Sequence, residues 1–282
     1  MLASAAAVAL VQRPDGEHGL QAFLRGRRRP SRARRPRPVV CLGDSLTRGN
    51  LSADWVGGLR GRLALGPEPP AVLNAGTNMH CARNALGKLE DVLACEPSHV
   101  VVLVGTNDLK AELSPIEGLA YRVLNGLREA PTLEAYEAEL LELRGRLLAA
   151  GARVAFASPP VLGEDAASGA NRRAAAYAAV VQRVAAGGGC TYLPLFEKTL
   201  AALPPAAGSP YDGVLFFGWM WALCLDLYVL RRGLQEVQSE RRLSVTVDLV
   251  HLGPAAAETL AEMAADFVAA RPVSDAQGEL GH

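Results

Sequence analysis

Three short strings put small polar residues where acyl transfer needs them. Gly43-Asp44-Ser45-Leu46 follows an apolar run, so Ser45 sits on the turn that leaves a strand. Asn74-Ala75-Gly76 and Gly105-Thr106-Asn107-Asp108 end two further apolar runs. Asp248 and His251 stand near the C-terminus, just ahead of a helix expected from Pro254. An ordinary serine hydroxyl is a poor nucleophile. It needs a base beside it, a carboxylate to orient the base, and donors for the oxyanion formed when a carbonyl is attacked. Residue types for all three are present. Asp44 and Asp108 read as turn-building carboxylates, since Asp readily bonds nearby backbone at such corners. Gly76 reads either as a turn glycine or as a residue whose bare backbone lets a substrate oxygen reach its N–H.

The elements that must carry these residues follow from the apolar pattern. Val39 to Leu42, Ala71 to Leu73, Val100 to Val104, Val154 to Ala157 and Thr191 to Leu193 are predicted buried strands. Ala82 to Ala94, Thr132 to Ala149 and Asn171 to Ala186 have helical spacing. Such alternation predicts an α/β protein: a doubly wound, three-layer α/β/α sandwich around a mostly parallel, flavodoxin-like five-stranded sheet. Ligands of such sheets bind at the carboxyl edge, where the three strings lie. Neither a GxGxxG string after a strand nor GxxxxGK[ST] occurs, which argues against a dinucleotide or phosphate-loop enzyme.

The chain has 282 residues, half of them hydrophobic, enough for one large domain. We expect that domain over residues 39–272, with a tail over 273–282. Residues 1–38 join an Ala-rich apolar stretch to an Arg and Pro run without apolar periodicity, and read as a disordered or targeting segment: a solvated tail, an address signal or a basic patch. An intracellular protein, cytoplasmic or organelle-targeted, is the expectation. Lys plus Arg equals Asp plus Glu at 29 each, so no nucleic-acid partner is expected. Five widely spaced cysteines, Cys41, Cys81, Cys95, Cys190 and Cys224, read as reduced thiols. His80, Cys81, Cys95 and His99 lack the paired spacing of a zinc site, and no metal or organic cofactor is expected. His80 lies close enough to Gly76 in sequence to approach the same pocket.

The four blocks GDSL at Gly43, NAG at Asn74, GTND at Gly105 and DLVH at Asp248 occur in the order of the SGNH, or GDSL, hydrolase superfamily, which the chain resembles over roughly Val39 to Ala270. The stretch Asn74 to Leu109 looks like the esterase branches of that superfamily. The resemblance implies that Ser45 attacks an ester carbonyl, that His251 serves as base and then acid, and that Asp248 orients the imidazole. It also implies an oxyanion hole made of the Ser45 and Gly76 N–H groups and the Asn107 amide. Hydrolysis of lipid-like or otherwise apolar acyl esters is the reading preferred here. Deacetylation of a carbohydrate, acyl transfer to another alcohol, and a non-catalytic binding module on the same fold are the alternatives.

One segment has no place in a plain sandwich. Val214 to Leu230 is almost wholly apolar. As a helix at ~1.5 Å per residue it would reach roughly 25 Å, short of a ~30 Å hydrocarbon core, and Asp226 inside lipid would be costly. A spanning helix would also put Ser45 and His251 on opposite sides of a membrane. We therefore expect an apolar helical insertion at about 205–240, as core, as cap or lying in a membrane interface. In the last two cases Phe216, Phe217, Trp219, Met220 and Trp221 would form a substrate-binding wall, with peripheral membrane contact.

Overall fold

The computed structural model describes residues 19–27, 36–206 and 208–270. Five strands, β1 (Val39–Gly43), β2 (Val72–Gly76), β3 (His99–Leu103), β4 (Arg153–Ala157) and β5 (Thr191–Leu193), form one parallel sheet in the order β2-β1-β3-β4-β5. This is the expected flavodoxin-like order. The runs VVCLG and HVVVL are apolar almost throughout because a parallel sheet is covered on both faces. In register, Gly43 pairs with Gly76 and with Leu103, and Leu103 with Ala157. Loops leaving the first three strands therefore start at one level of the carboxyl edge, where Ser45 and Asn107 follow.

Thirteen helices are present among the described residues. After β1 come the one-turn α2 (Ser45–Arg48) and α3 (Trp55–Leu63), with α1 (Leu20–Arg27) ahead of the sheet. After β2 lie α4 (Ala82–Gly87) and α5 (Leu89–Ala94), a single helix in expectation but broken at Lys88. After β3 lie α6 (Thr106–Leu113), α7 (Pro115–Leu124) and α8 (Leu133–Ala149). α9 (Gly169–Ala186) follows β4, and α10 (Leu195–Ala201) follows β5. The chain continues through α11 (Gly213–Tyr228) and α12 (Leu234–Glu240) to α13 (Pro254–Ala269). α3 packs with α13, and α8 packs with α4 and α9, giving the two outer layers.

The reading of residues 1–38 as unstructured needs one correction. Leu20–Arg27 is helical, because Leu20 is buried and Phe23 and Leu24 pack on the core beside β2. Residues 1–18, 28–35 and 271–282 lie outside the described part, and with them the apolar leader, most of the Arg run and the expected tail.

The apolar run forms α11, started by Asp212, whose Oδ1 accepts from Leu215 N at 2.7 Å. It is a cap rather than a core helix: Phe216, Leu223 and Cys224 are buried, whereas Val214 and Leu225 are exposed. Asp226 is paired with Arg232 and Arg241 at 3.2 and 3.4 Å, which removes its desolvation problem. Among the described residues no helix is long and apolar enough to cross a membrane.

Candidate active site

Ser45 opens α2, and its orientation is set from two sides. Asp44 caps the turn, its Oδ1 accepting from Leu46 N at 2.9 Å. From β2, Asn74 Nδ2 donates to Thr47 O at 2.8 Å. Gly76 lies so close that a Cβ there would stand 2.3 Å from Arg48 N, so only glycine lets the two backbones approach.

Asp248 and His251 sit on a tight loop whose backbone doubles back, with Val247 N donating to His251 O at 2.9 Å. Leu249 at its tip has φ 75°. Glu164 holds the loop's stem, its Oε1 accepting from Val245 N and Thr246 N, each at 2.8 Å. Gly163 N donates to Leu249 O at 2.8 Å, and Leu252 N donates to Ser52 Oγ at 3.1 Å, which ties the loop to the Ser45 side.

These anchors bring together side chains far apart in sequence. His251 Nε2 lies 3.0 Å from Ser45 Oγ, and His251 Nδ1 lies 2.7 Å from Asp248 Oδ2. Asp248 Oδ1 accepts from His251 N and Val250 N at 2.8 and 3.2 Å. Burial pushes the Asp248 carboxyl up, but the His251 imidazole and these hydrogen bonds together hold it below its ordinary value. Ser45, Asp248 and His251 are all buried.

Asn107 enters from the first turn of α6. The turn before it needs Gly105, which has φ 120° and whose Cβ would stand 2.7 Å from the Tyr136 ring. Asn107 Nδ2 donates to His80 O at 2.8 Å, which orients the amide and leaves its second N–H directed elsewhere. Ser45 N has no hydrogen-bond partner among the described residues.

Gly76 departs from expectation. Its N–H donates to Asn74 Oδ1 at 2.9 Å, and the residue does not line the cavity beside Ser45. Met79, three residues on, does line it, with φ 66° and an N–H that has no partner among the described residues.

That cavity has a volume of about 290 Å³ and reaches from Ser45, Asn107 and His251 to α11. Phe216, Phe217, Met220 and Trp221 line it as expected, one face of a helix at spacing i, i+1, i+4, i+5. Trp219 falls off that face and lies against Arg241, 5.5 Å from ring centroid to guanidinium carbon, so its place in the wall is corrected. The Phe216 ring is 6.0 Å from the His251 ring.

The family model of the GDSL-like lipase/acylhydrolase family matches residues 41–258. The chain belongs to that family. As a GDSL-like acylhydrolase it is a carboxylic ester hydrolase, and the triad-bearing architecture is typical of the family. Among curated proteins none matches the sequence. Among solved structures, an acetylxylan esterase from Geobacillus stearothermophilus is similar in fold, with 18% identity, TM-score 0.60, and coverage of 84% of this chain and 96% of that one. A catalytic mutant of the same esterase gives 16%, 0.61, 86% and 98%. An alpha/beta hydrolase enzyme from the metagenome of Lake Arreo, Spain, gives 15%, 0.60, 83% and 96%.

Other charged groups of this GDSL hydrolase take supporting places. Asp108 accepts from Ala82 N with both carboxylate oxygens, at 3.2 and 3.1 Å, and burial raises it well above its ordinary value. Burial pushes Asp44 up to about 7. Both are holders of backbone, as the sequence suggests. His80 contributes its carbonyl to Asn107, while its ring, held down to about 4 by burial, does not line the cavity. Cys41, Cys81, Cys95, Cys190 and Cys224 form no disulfide, and no metal-binding cluster occurs among the described residues. Sequence reasoning missed Met79 and Lys110. Met79 carried no glycine to mark its left-handed backbone; Lys110 was visible as the residue one turn after Asn107 on the same face of α6.

Proposed function

We propose that the chain cleaves esters of apolar acyl groups through an acyl-enzyme on Ser45. The observation that carries this reading is the hydrogen-bonded series Ser45 Oγ, His251, Asp248 opening into a cavity walled by Phe216, Phe217, Met220 and Trp221. With Nδ1–H donating to Asp248, His251 Nε2 accepts the serine proton as Oγ bonds to the carbonyl carbon. The oxyanion takes hydrogen bonds from Ser45 N, from the second Asn107 N–H, and from Met79 N in the place first assigned to Gly76. The tetrahedral carbon then expels the alkoxide, which leaves with the proton held by His251. Water repeats the sequence and frees the acid.

A cavity of about 290 Å³ is near the small end of the ~300–1,000 Å³ range for ligand pockets, which favours short and medium acyl chains. Phe217 and Trp221, which line it, are partly exposed, and Leu225 on α11 and Ile116, Leu119 and Val123 on α7 are exposed too, apolar surface suited to a micelle or membrane interface. A second reading, removal of acetyl groups from a carbohydrate, has the acetylxylan esterase likeness in its favour. The apolar wall counts against it, since a sugar needs more hydrogen-bonding partners.

The test is hydrolysis of p-nitrophenyl esters from acetyl to palmitoyl by the native chain and Ser45→Ala, with and without detergent micelles. Activity confined to the native chain, with an optimum beyond acetyl, is expected. An acetyl optimum selects the second reading. Turnover by Ser45→Ala equal to the native chain, or none by either from folded protein, overturns both.

A further inference from the structure

A single lysine is buried in this apolar wall. Lys110 lies on α6 one turn after Asn107, is 1% exposed, and lines the cavity. Its Nζ stands 3.7 Å from the centroid of the Phe216 ring, with the Tyr121 and Tyr211 rings at 5.4 and 5.8 Å. Among the described residues it has no hydrogen-bond acceptor and no ion-pair partner. None of the acids whose charge it feels pairs with it. Glu117 accepts from Tyr211 Oη at 2.5 Å, Asp248 is bonded to His251, and Asp44 holds Leu46 N through Oδ1 while its buried Oδ2 has no partner among the described residues.

A buried ammonium without an acceptor is costly, and three ring faces offset only part of that cost. A methionine at this position would line the wall without it. The ammonium has all three N–H groups available to a molecule in the cavity, a turn of helix away from the Asn107 amide. We infer that Lys110 is a specificity-determining residue that pairs with a negatively charged oxygen group carried by the substrate in addition to its scissile ester. The substrate class is then an anionic ester with an apolar spacer, the charge being a carboxylate on the acyl chain or a phosphate on the alcohol. This rests on the reading of Ser45 as nucleophile.

The experiment compares kcat/KM for matched pairs in the native chain and in Lys110→Met. One arm pairs p-nitrophenyl hydrogen adipate with p-nitrophenyl hexanoate; the other pairs 1-hexanoylglycerol 3-phosphate with 1-hexanoylglycerol. The native chain should favour the anionic member of one pair by about tenfold or more, the size of a charge-assisted hydrogen bond, and Lys110→Met should abolish that ratio. The arm that responds identifies the source of the charge. Ratios that are the same in both proteins, in both arms, overturn the inference. Calorimetric binding of monomethyl adipate and methyl hexanoate to Ser45→Ala needs neither turnover nor a folded Lys110 variant. Binding of the acid about tenfold or more tighter supports the inference, and equal binding overturns it if the phosphate arm is also flat. Loss of all Ser45-dependent turnover while the acid still binds tighter condemns the esterase reading alone.

Discussion

Replacing Lys110 by methionine should make the protein more stable at neutral pH, although the residue lies in the cavity wall. Burial holds the lysine down to about 8 from its ordinary 10.5, against the opposing pull of Glu117, Asp248, Asp44 and Cys81. At 1.36 kcal/mol per pH unit this is about 3 kcal/mol that folding loses while the ammonium is charged. Contact with the Phe216 face recovers about 0.5–2 kcal/mol, and Met keeps most of the apolar stem, so the net gain should be ~1–3 kcal/mol. The sign follows from proton counting. Below pH 8 the lysine is charged in both states and the whole penalty acts. Between 8 and 10.5 the unfolded chain holds a proton that the folded chain has released, so native stability rises; above 10.5 the penalty is gone. The groups around Nζ, Tyr121 and Tyr211 among them, are common to both proteins and cancel in the difference. Urea unfolding at pH 7 and pH 10 should give Lys110→Met a higher midpoint at pH 7 and a narrower lead at pH 10. A less stable variant at pH 7, or a gap that does not change with pH, would refute the reasoning.

Asn107→Ala should lower kcat by about 10²–10³ through loss of one oxyanion donor, with little change in KM, and steady-state kinetics on a short ester would show it. Asp248→Asn keeps an acceptor for the Val250 and His251 N–H groups but misaligns the imidazole, so a fall in kcat of about 10⁴ with a nearly unchanged melting temperature is expected. Gly76→Ala should cost about 3 kcal/mol or more in a urea melt and impair Ser45, because the added Cβ meets the backbone of Thr47 and Arg48. Gly145→Ala, in the middle of α8 with nothing within 4 Å of the added Cβ, should instead stabilise by about 0.5–1 kcal/mol.

Much of this molecule is legible in one dimension because the signals are local. All five strands lie within three residues of their expected bounds, and β5 matches them at both ends, since a strand of a covered parallel sheet must be an apolar run and must stop where the chain turns. The Asp248 and His251 pairing is likewise contained in a three-residue spacing. Where a property depends on what lies across a gap, the sequence is silent. Nothing in Gly76 says that its N–H is taken by Asn74, and nothing in Met79 says that its backbone is left-handed. Nor does the composition of α7 mark Ile116, Leu119 and Val123 as an exposed apolar face rather than a core one.

The sequence by itself therefore determined the five strands and the main helices between them, the edge of the sheet at which chemistry occurs, and which serine, histidine and aspartate are suited to it. Tertiary structure alone decided that Ser45 and His251 meet at 3.0 Å across a sequence separation of 206, and which face of α11 closes the cavity. It also decided that Trp219 turns away to Arg241 and that Lys110 is enclosed without an acceptor. The division is physical. Backbone periodicity and turn chemistry act between neighbours in the chain, whereas distance, burial and the charge a pocket feels are set by segments that become neighbours only when the core packs.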